Sequence, residues 1–164
     1  MIMRMLIADT QDLSIQVGDE LKAPQADKKL IHCTGCFGCW IKTPGRCIIK
    51  DAYMTMGEEL KKCEELILIS KCTYGGFSPF VKNILDRSIS YILPHFEIIN
   101  SEMHHKRRYD NTIKVSAYFY GEDISEKEKE IAKQLVHANM VNFHGVVTDV
   151  CFFNTVDEIK EALA

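Results

Sequence analysis

The stretch ELILISKCTYGGFSPFVKNILDRSISYIL, residues 65–93, decides the fold of this 164-residue chain. Its apolar run at 66–69 (LILI) is short and rich in β-branched residues, which predicts a strand buried on both faces. From Pro79 onward, apolar residues recur at spacings of three and four, which predicts an amphipathic helix. Ser78 and Pro79 are typical of an N-cap and a first helical position. The stretch therefore predicts a buried strand, a loop and a helix in succession.

The loop at residues 70–78 (SKCTYGGFS) carries two glycines, two aromatic residues and small polar side chains. It follows the carboxyl end of a strand, which is where ligands bind in open parallel sheets. Glycines allow a close approach of the backbone, and an aromatic ring beside them can cover a planar ligand. In the alternative interpretation, the two glycines only permit an unusual backbone angle in a tight turn.

Further strands are predicted on both sides of this stretch, at residues 4–8 (RMLIA), 113–120 (IKVSAYFY) and 146–153 (VVTDVCFF), with residues 29–32 as a candidate second strand. Helices are predicted at 51–63 with Asp51 as N-cap, at about 125–142 behind a Ser125–Glu128 capping box, and at the C-terminus from Thr155 or Asp157. Residues 9–28 are polar and irregular, so a short helix and a hairpin both remain open. Residues 94–112 are polar and basic, and the cluster at 104–108 (HHKRR) is typical of a solvated surface loop, with contact to a cofactor phosphate or an acidic partner as the alternative.

Strands that alternate with helices predict right-handed βαβ units and a parallel sheet covered by helices on both faces. Five strands favour a flavodoxin-like three-layer α/β sandwich of strand order 2-1-3-4-5, with a shortened first helix. The length suits a single domain over residues 1–164.

Composition narrows the function classes. The net charge of −3 argues against nucleic-acid binding, which usually needs a basic face. No apolar run approaches the roughly 18 residues of a membrane span. The N-terminus lacks the apolar core of a signal peptide, so we expect a cytoplasmic protein. Seven cysteines are then expected as thiols or metal ligands, because that compartment is reducing.

The segment CTGCFGCWIKTPGRC, residues 33–47, concentrates four of the cysteines in the spacing C-x2-C-x2-C-x7-C. The candidate metal ligands are Cys33, Cys36, Cys39 and Cys47. Four thiolates this close can surround one metal centre, and a [4Fe–4S] cluster needs four such ligands. Zinc is an alternative, although structural zinc usually uses two separated cysteine pairs. Two further alternatives are a redox-active dithiol and a metal-free loop whose cysteines pack with Trp40.

Together, the two stretches resemble the NADPH-dependent FMN reductase family of the flavodoxin-like superfamily. The family pattern C-x-G-C-x-x-C-W…T-P-G-x-C-x-x-x-D is matched at residues 33–51, and a Tyr–Gly loop followed by S-x-x-x-K-x-x-x-D-R is matched at residues 74–87. The match covers roughly residues 30–93. In cysteine spacing, the chain is most similar to the iron–sulfur flavoproteins, in which this loop carries a [4Fe–4S] cluster.

The resemblance implies an FMN-dependent oxidoreductase of the NAD(P)H:flavin reductase type, with NAD(P)H as co-substrate. It implies as an alternative an iron–sulfur flavoprotein that carries electrons to a small-molecule or protein acceptor. The flavin ring would face Cys72, Thr73, Tyr74, Gly75, Gly76, Phe77 and Ser78. No catalytic acid or base is required, because the cofactor performs the hydride chemistry. The resemblance further implies a homodimer or homotetramer, in which Lys82, Asp86 and Arg87 fix the helix or a subunit interface.

The segment after the first strand departs from the family. The family's G-S-x-R-x-x-S-N-T loop binds the FMN phosphate there, whereas this chain has ADTQDLS at residues 8–14. Thr10, Gln11 and Ser14 can supply hydrogen bonds, but Asp9 and Asp12 carry the wrong charge for a phosphate dianion. A third hypothesis is therefore a flavodoxin-like domain that has lost FMN and acts as a binding module.

Overall fold

The computed structural model describes residues 3–10, 21–22 and 29–163. Its strands are β1 (Arg4–Ala8), β2 (Leu21–Lys22), β3 (Glu65–Lys71), β4 (Ile92–Ile99), β5 (Glu102–Arg107), β6 (Lys114–Tyr120) and β7 (Val146–Phe153). Its α-helices are α1 (Gly38–Ile41), α2 (Met56–Lys62), α3 (Pro79–Arg87), α4 (Glu126–Asn142) and α5 (Val156–Leu163), and a 3-10 turn spans Ile89–Tyr91.

The central sheet has five parallel strands in the order β2-β1-β3-β6-β7. Strand β3 lies in the middle, and five of its seven residues are buried, as its continuous apolar run predicts. Helices α2, α3 and α4 pack on one face of the sheet, and α5 packs on the other around Leu6, Ile67 and Ile159. The predicted α/β fold with a parallel sheet is therefore confirmed.

The predicted second strand at residues 29–32 is wrong, because these residues are irregular and the strand beside β1 is Leu21–Lys22. A strand of two residues is too short to leave a periodic pattern in the sequence. The predicted shortened first helix falls between β1 and β2, where residues 11–20 lie outside the described residues.

The segment expected to be a polar loop at residues 94–112 instead contains an antiparallel hairpin of β4 and β5. Asn100 and Ser101 form its two-residue turn with φ angles of 51° and 67°, as a type I′ turn requires. The hairpin lies outside the central sheet and much of it is exposed. Pro94 interrupts the apolar residues of β4, and β5 (EMHHKR) is mostly polar, so the strand pattern in the sequence is weak.

Three predicted helix starts are confirmed and one is wrong. Thr155 Oγ1 accepts from Glu158 N at 3.3 Å, just before α5 begins at Val156. Ser78 accepts a hydrogen bond from Val81 N at the start of α3, and Ser125 forms a capping box with Glu128 at the start of α4. In contrast, α2 begins at Met56, and Asp51 lies in a turn five residues earlier. The Asp51 carboxylate is instead held by a long-range partner, described below. None of the helices in the described part of the chain is both long and apolar enough to cross a membrane.

Candidate functional site

The four cysteines predicted as ligands lie around one space. The cysteine loop, residues 33–47, encloses with helix α3 a cavity of about 60 Å³ whose lining includes all four. Cys47 is buried, Cys39 is half-buried, and Cys33 and Cys36 are exposed. The structure therefore brings the four thiols together at the edge of the protein.

Local backbone geometry explains the glycines and threonine of this loop. Phe37 has a φ of 56° just before the short helix α1, so the chain turns sharply between the second and third cysteines. A Cβ atom on Gly38 would lie 2.6 Å from Ile48 Cγ2, which only glycine avoids. Thr43 Oγ1 donates to Arg46 O at 2.8 Å, and Cys47 N donates to Met54 O at 2.9 Å. These contacts hold Cys47 against the core.

A buried ion pair fixes both ends of the loop. Arg87 of α3 is 1% exposed, and its two Nη atoms each donate to one Asp51 carboxylate oxygen at 2.7 Å. The same guanidinium donates to Ile31 O at 2.6 Å and to Ile49 O at 3.4 Å. Asn83, one turn earlier, accepts from Cys33 N at 3.3 Å. Helix α3 thus holds the backbone on both sides of the four cysteines.

The remaining donor of this arginine lacks a partner. Within the described residues, the Arg87 Nε atom makes no hydrogen bond, although this atom is buried. A buried donor left unsatisfied costs about 1–3 kcal/mol, so native proteins rarely keep one without a reason. Arg87 also lines the cavity between the cysteines. An electron-rich acceptor in that cavity would satisfy it.

The thiols interact electrostatically. Burial raises the pKa of Cys39, and the neighbouring Cys47, Cys33 and Cys36 raise it further because each disfavours a second negative charge. In contrast, hydrogen bonds from the Gly38 backbone and the Thr34 side chain lower the pKa of Cys36. The loop therefore contains one exposed thiol with a lowered pKa and one partly buried thiol with a raised pKa.

The cavity lining supplies four thiols, which is the number of ligands that a [4Fe–4S] cluster takes. No three Cys, His, Asp or Glu side chains in the described ranges are arranged to hold one metal ion, which needs thiolate sulfurs about 2.3 Å from a common point. A [4Fe–4S] cluster instead binds each thiolate at a separate iron, so its ligands surround a volume. The four thiols that line this cavity are ligands of that type and number.

The Tyr74 loop, residues 72–78, closes on itself. Thr73 and Gly76 exchange two backbone hydrogen bonds, at 3.0 and 2.9 Å. Tyr74 has a φ of 52° and is 91% exposed, so its ring stands on the surface. Gly75 has a φ of 76° and is buried, and a Cβ there would lie 2.9 Å from Ile131 Cβ. A surface ring above a tight turn can cover one side of a planar ligand.

The other predicted ring-facing residues have different environments. Cys72, Thr73 and Gly76 are half-buried beside Tyr74. Phe77 lies in the core with its ring stacked on Phe119 at 5.2 Å, and Ser78 N donates to Ser70 Oγ at 2.8 Å. The structure thus gathers Cys72, Thr73, Tyr74 and Gly76 near the surface, and it uses Phe77 and Ser78 for packing and capping.

A carboxylate occupies the end of β1, where the resemblance implies a phosphate site. Asp9 Oδ2 accepts from Lys71 N at 2.8 Å, and Asp9 Oδ1 accepts from Tyr120 OH at 2.9 Å. Burial and this hydrogen bond raise the pKa of Tyr120. Asp9 therefore joins the carboxyl ends of β1, β3 and β6, and a phosphate dianion does not fit beside it. Thr10 follows directly, while Gln11 and Ser14 lie outside the described residues.

The sequence did not reveal the partner of Asp51 or the role of Asn83. Both Asp51 and Arg87 belong to the motifs that carry the resemblance, but they stand 36 residues apart. The only signal was that each motif ends in an oppositely charged residue, at Asp51 and at Arg87. The bond from Trp40 Nε1 to Ile92 O at 3.0 Å was also not foreseen, because the hairpin was not predicted.

Comparisons with known proteins support the fold and the resemblance. No protein-family profile matches the sequence. The chain is 38% identical over 63 residues to an iron–sulfur flavoprotein of Methanocaldococcus jannaschii, a match that covers 38% of this chain and only 32% of that relative. The chain thus spans about a third of the length of the curated relative it matches.

Two solved structures are similar over almost the entire chain. The Trp repressor binding protein from Bacillus subtilis has a TM-score of 0.54 at 14% identity, with 98% of this chain and 94% of that chain covered. Azoreductase AzrA has a TM-score of 0.55 at 9% identity, with 98% and 92% covered. At such low identity these likenesses show the fold, and the chain has a flavodoxin-like α/β fold.

Proposed function

We propose that this chain is a flavin-dependent oxidoreductase whose cysteine loop holds a [4Fe–4S] cluster. The observation that carries the proposal is the cavity lined by all four loop cysteines and by a buried arginine with an unpaired N–H. The curated relative is itself named an iron–sulfur flavoprotein, and one solved structure of the same fold is an azoreductase. Both names agree with a redox function.

In this proposal, each part of the cysteine loop has a defined role. The cluster ligands are Cys33, Cys36, Cys39 and Cys47. The cluster would supply one-electron chemistry, with a potential that depends on the surrounding hydrogen bonds and solvent exposure. The Asp51–Arg87 pair holds the ends of the loop in place before the cluster is bound. The Trp40 ring stacks on Phe37, with ring centroids 5.5 Å apart, and packs at a tilt against His105, with centroids 5.0 Å apart, which shields one side of the loop.

The flavin ring would lie on the Tyr74 loop. The exposed Tyr74 ring can stack on an isoalloxazine, with Cys72, Thr73 and Gly76 beside it. The phosphate of FMN does not fit against Asp9, so we assign no phosphate contact there. NAD(P)H is the proposed co-substrate, and the acceptor is a small molecule or a protein in the cytoplasm.

Self-association is also part of the proposal. Phe96, Ile98 and Met103 of the hairpin are 55%, 71% and 66% exposed. Large apolar side chains grouped on a surface are typical of interaction sites. They support a homodimer or homotetramer in which the hairpin contributes to the interface.

Two other functions each have one supporting observation. A cluster-free NAD(P)H:flavin reductase is favoured by the shared fold with azoreductase AzrA. A binding module without flavin is favoured by Asp9, whose carboxylate fills the position implied for a phosphate.

Absorption spectroscopy of anaerobically purified protein separates these functions. A bound cluster gives a broad shoulder near roughly 400 nm, and a flavin gives bands near about 375 and 450 nm. We expect both signals, with about four iron and four sulfide per chain. Cys47→Ala removes the shoulder, whereas Cys151→Ala, a half-buried cysteine of β7 outside the loop, retains it. A protein that stays colourless after incubation with iron, sulfide and FMN contradicts the proposal.

A further inference from the structure

We propose that Arg87 is a positioning residue whose Nε–H donates a hydrogen bond to the Cys47 sulfur of the loaded site. The proposal rests on the proposed function, because the acceptor is a thiolate bound to the cluster. The hydrogen bond would let Arg87 of helix α3 influence the electron density on the Cys47 sulfur.

The first step is a count of the donors of the guanidinium. An arginine has five N–H groups in a fixed planar arrangement. Four have acceptors: the two Asp51 oxygens at 2.7 Å, Ile31 O at 2.6 Å and Ile49 O at 3.4 Å. The fifth, on Nε, has none in the part of the chain that the structure describes. Because the other four bonds fix the plane, Nε–H points in one set direction.

The second step identifies the acceptor. Cys47 is 8% exposed, the most buried of the four loop cysteines, and it lines the same cavity as Arg87. The Arg87 side chain and Cys47 both line this cavity, and the unpaired Nε is buried beside it. The Cys47 sulfur is therefore the buried acceptor candidate on the cavity wall. A neutral thiol is a weak acceptor, whereas a thiolate accepts a charge-assisted bond.

The third step is the physical consequence. A hydrogen bond to a ligand sulfur stabilises the reduced, more negative state of a cluster, so it raises the reduction potential. Arg87→Lys keeps the positive charge but loses the planar group and the Nε–H. We therefore expect the variant to take up the cluster with a lower potential. The expected shift is about tenfold in the one-electron equilibrium, or about 59 mV.

A potentiometric titration followed by electron paramagnetic resonance tests this expectation on the whole 164-residue chain. Wild type, Arg87→Lys and the control Lys82→Gln are compared, since Lys82 lies on the exposed face of the same helix. A lower potential in Arg87→Lys alone supports the proposal. An unchanged potential in a fully loaded variant overturns it. A wild type that holds no cluster overturns the proposed function as well, and the iron content distinguishes these two failures.

A measurement on wild type alone covers the case in which Arg87→Lys fails to load. Protein labelled with 15Nε-arginine is reduced and studied by electron–nuclear double resonance. Of the five arginines in the sequence, Arg87 lines the cavity. We expect a 15N coupling to the cluster and an exchangeable proton that disappears in D₂O. Absence of both signals overturns the proposal.

Discussion

Two loops adjoin helix α3: the Tyr74 loop provides its N-cap, Ser78, and the cysteine loop is held through Asn83 at Cys33 and through Arg87 at the adjacent Ile31. The Tyr74 loop satisfies the amides of Thr73 and Gly76 within its own turn. The cysteine loop depends on a distant ion pair and, in the described structure, leaves one buried donor unpaired. A loop that closes on itself needs no ligand to be stable, whereas a buried donor without a partner beside a cavity leaves a place for an acceptor. The cysteine loop therefore carries the stronger functional signal.

The largest expected effect is the loss of the ion pair behind the cysteine loop. Asp51→Asn leaves the buried Arg87 guanidinium without its counter-charge, and breaking a buried pair in this way typically destabilises by about 3–5 kcal/mol. Urea unfolding of the metal-free protein measures the change. The control is Asp86→Asn, because Asp86 pairs with Lys82 on the exposed face of α3 and such pairs contribute about 0.3–0.5 kcal/mol. An equal loss of stability in both variants would contradict the role of Asp51 as the counter-charge of the buried Arg87.

The second prediction compares a glycine in each loop. Gly75 and Gly35 both have positive φ, at 76° and 64°, which disfavours alanine by about 1–2 kcal/mol. A Cβ on Gly75 also lies 2.9 Å from Ile131 Cβ and 3.0 Å from Glu128 O, while a Cβ on Gly35 meets nothing within 4 Å. We expect Gly75→Ala to lower the free energy of unfolding by about 2–4 kcal/mol and Gly35→Ala to lower it by about 1 kcal/mol.

Urea unfolding of both variants gives this difference directly. If Gly35→Ala lowers the free energy of unfolding as much as Gly75→Ala does, the cysteine loop is as closely packed around its glycine as the Tyr74 loop. The predicted difference in packing between the two loops would then be wrong.

The third prediction concerns thiol reactivity in the reduced, metal-free protein. Hydrogen bonds from Gly38 and Thr34 lower the pKa of Cys36, whereas burial raises the pKa of Cys72. Because the thiolate is the reactive form, Cys36 should be alkylated at least about tenfold faster than Cys72 at neutral pH. As the pH rises, the Cys36 rate levels off below the ordinary thiol value of 9.0, and the Cys72 rate does so above it.

Iodoacetamide labelling with peptide mass spectrometry measures both rates at a series of pH values. Cys63 is the slow internal standard, since burial raises its pKa to about 12. Thr34→Val removes one hydrogen bond and should slow Cys36 alone. If Cys36 and Cys72 react equally fast, the predicted difference in pKa between these two thiols is wrong.

Local signals predicted most of the fold. The continuous apolar run of β3, the Ser78 N-cap and the Ser125 capping box each act within a few residues, so sequence reasoning located them correctly. The two-residue strand β2 and the exposed hairpin leave no periodic pattern, so they were missed.

The candidate site shows the same division. The cysteine spacing was visible in the sequence, but the Asp51–Arg87 pair depends on contacts between distant segments. Asp51 was therefore assigned as a helix N-cap, a local role that acidic residues often have. Only the folded chain shows that its partner is on α3.

The smallest expected effect compares one aromatic residue in each loop. Trp40 Nε1 donates to Ile92 O at 3.0 Å, and Trp40→Phe removes this bond between the cysteine loop and the hairpin. The free energy of unfolding should fall by about 1 kcal/mol, because Arg108 Nη2 still donates to the same carbonyl at 3.4 Å.

Tyr74→Phe removes a hydroxyl from a side chain that is 91% exposed, so it should change the stability by less than about 0.5 kcal/mol. Urea unfolding followed by circular dichroism suits both variants, since Trp40 is the chain's one tryptophan and fluorescence would lose its probe. If Tyr74→Phe proves the more destabilising change, the Tyr74 ring has a structural partner, and its proposed role as an open stacking surface is wrong.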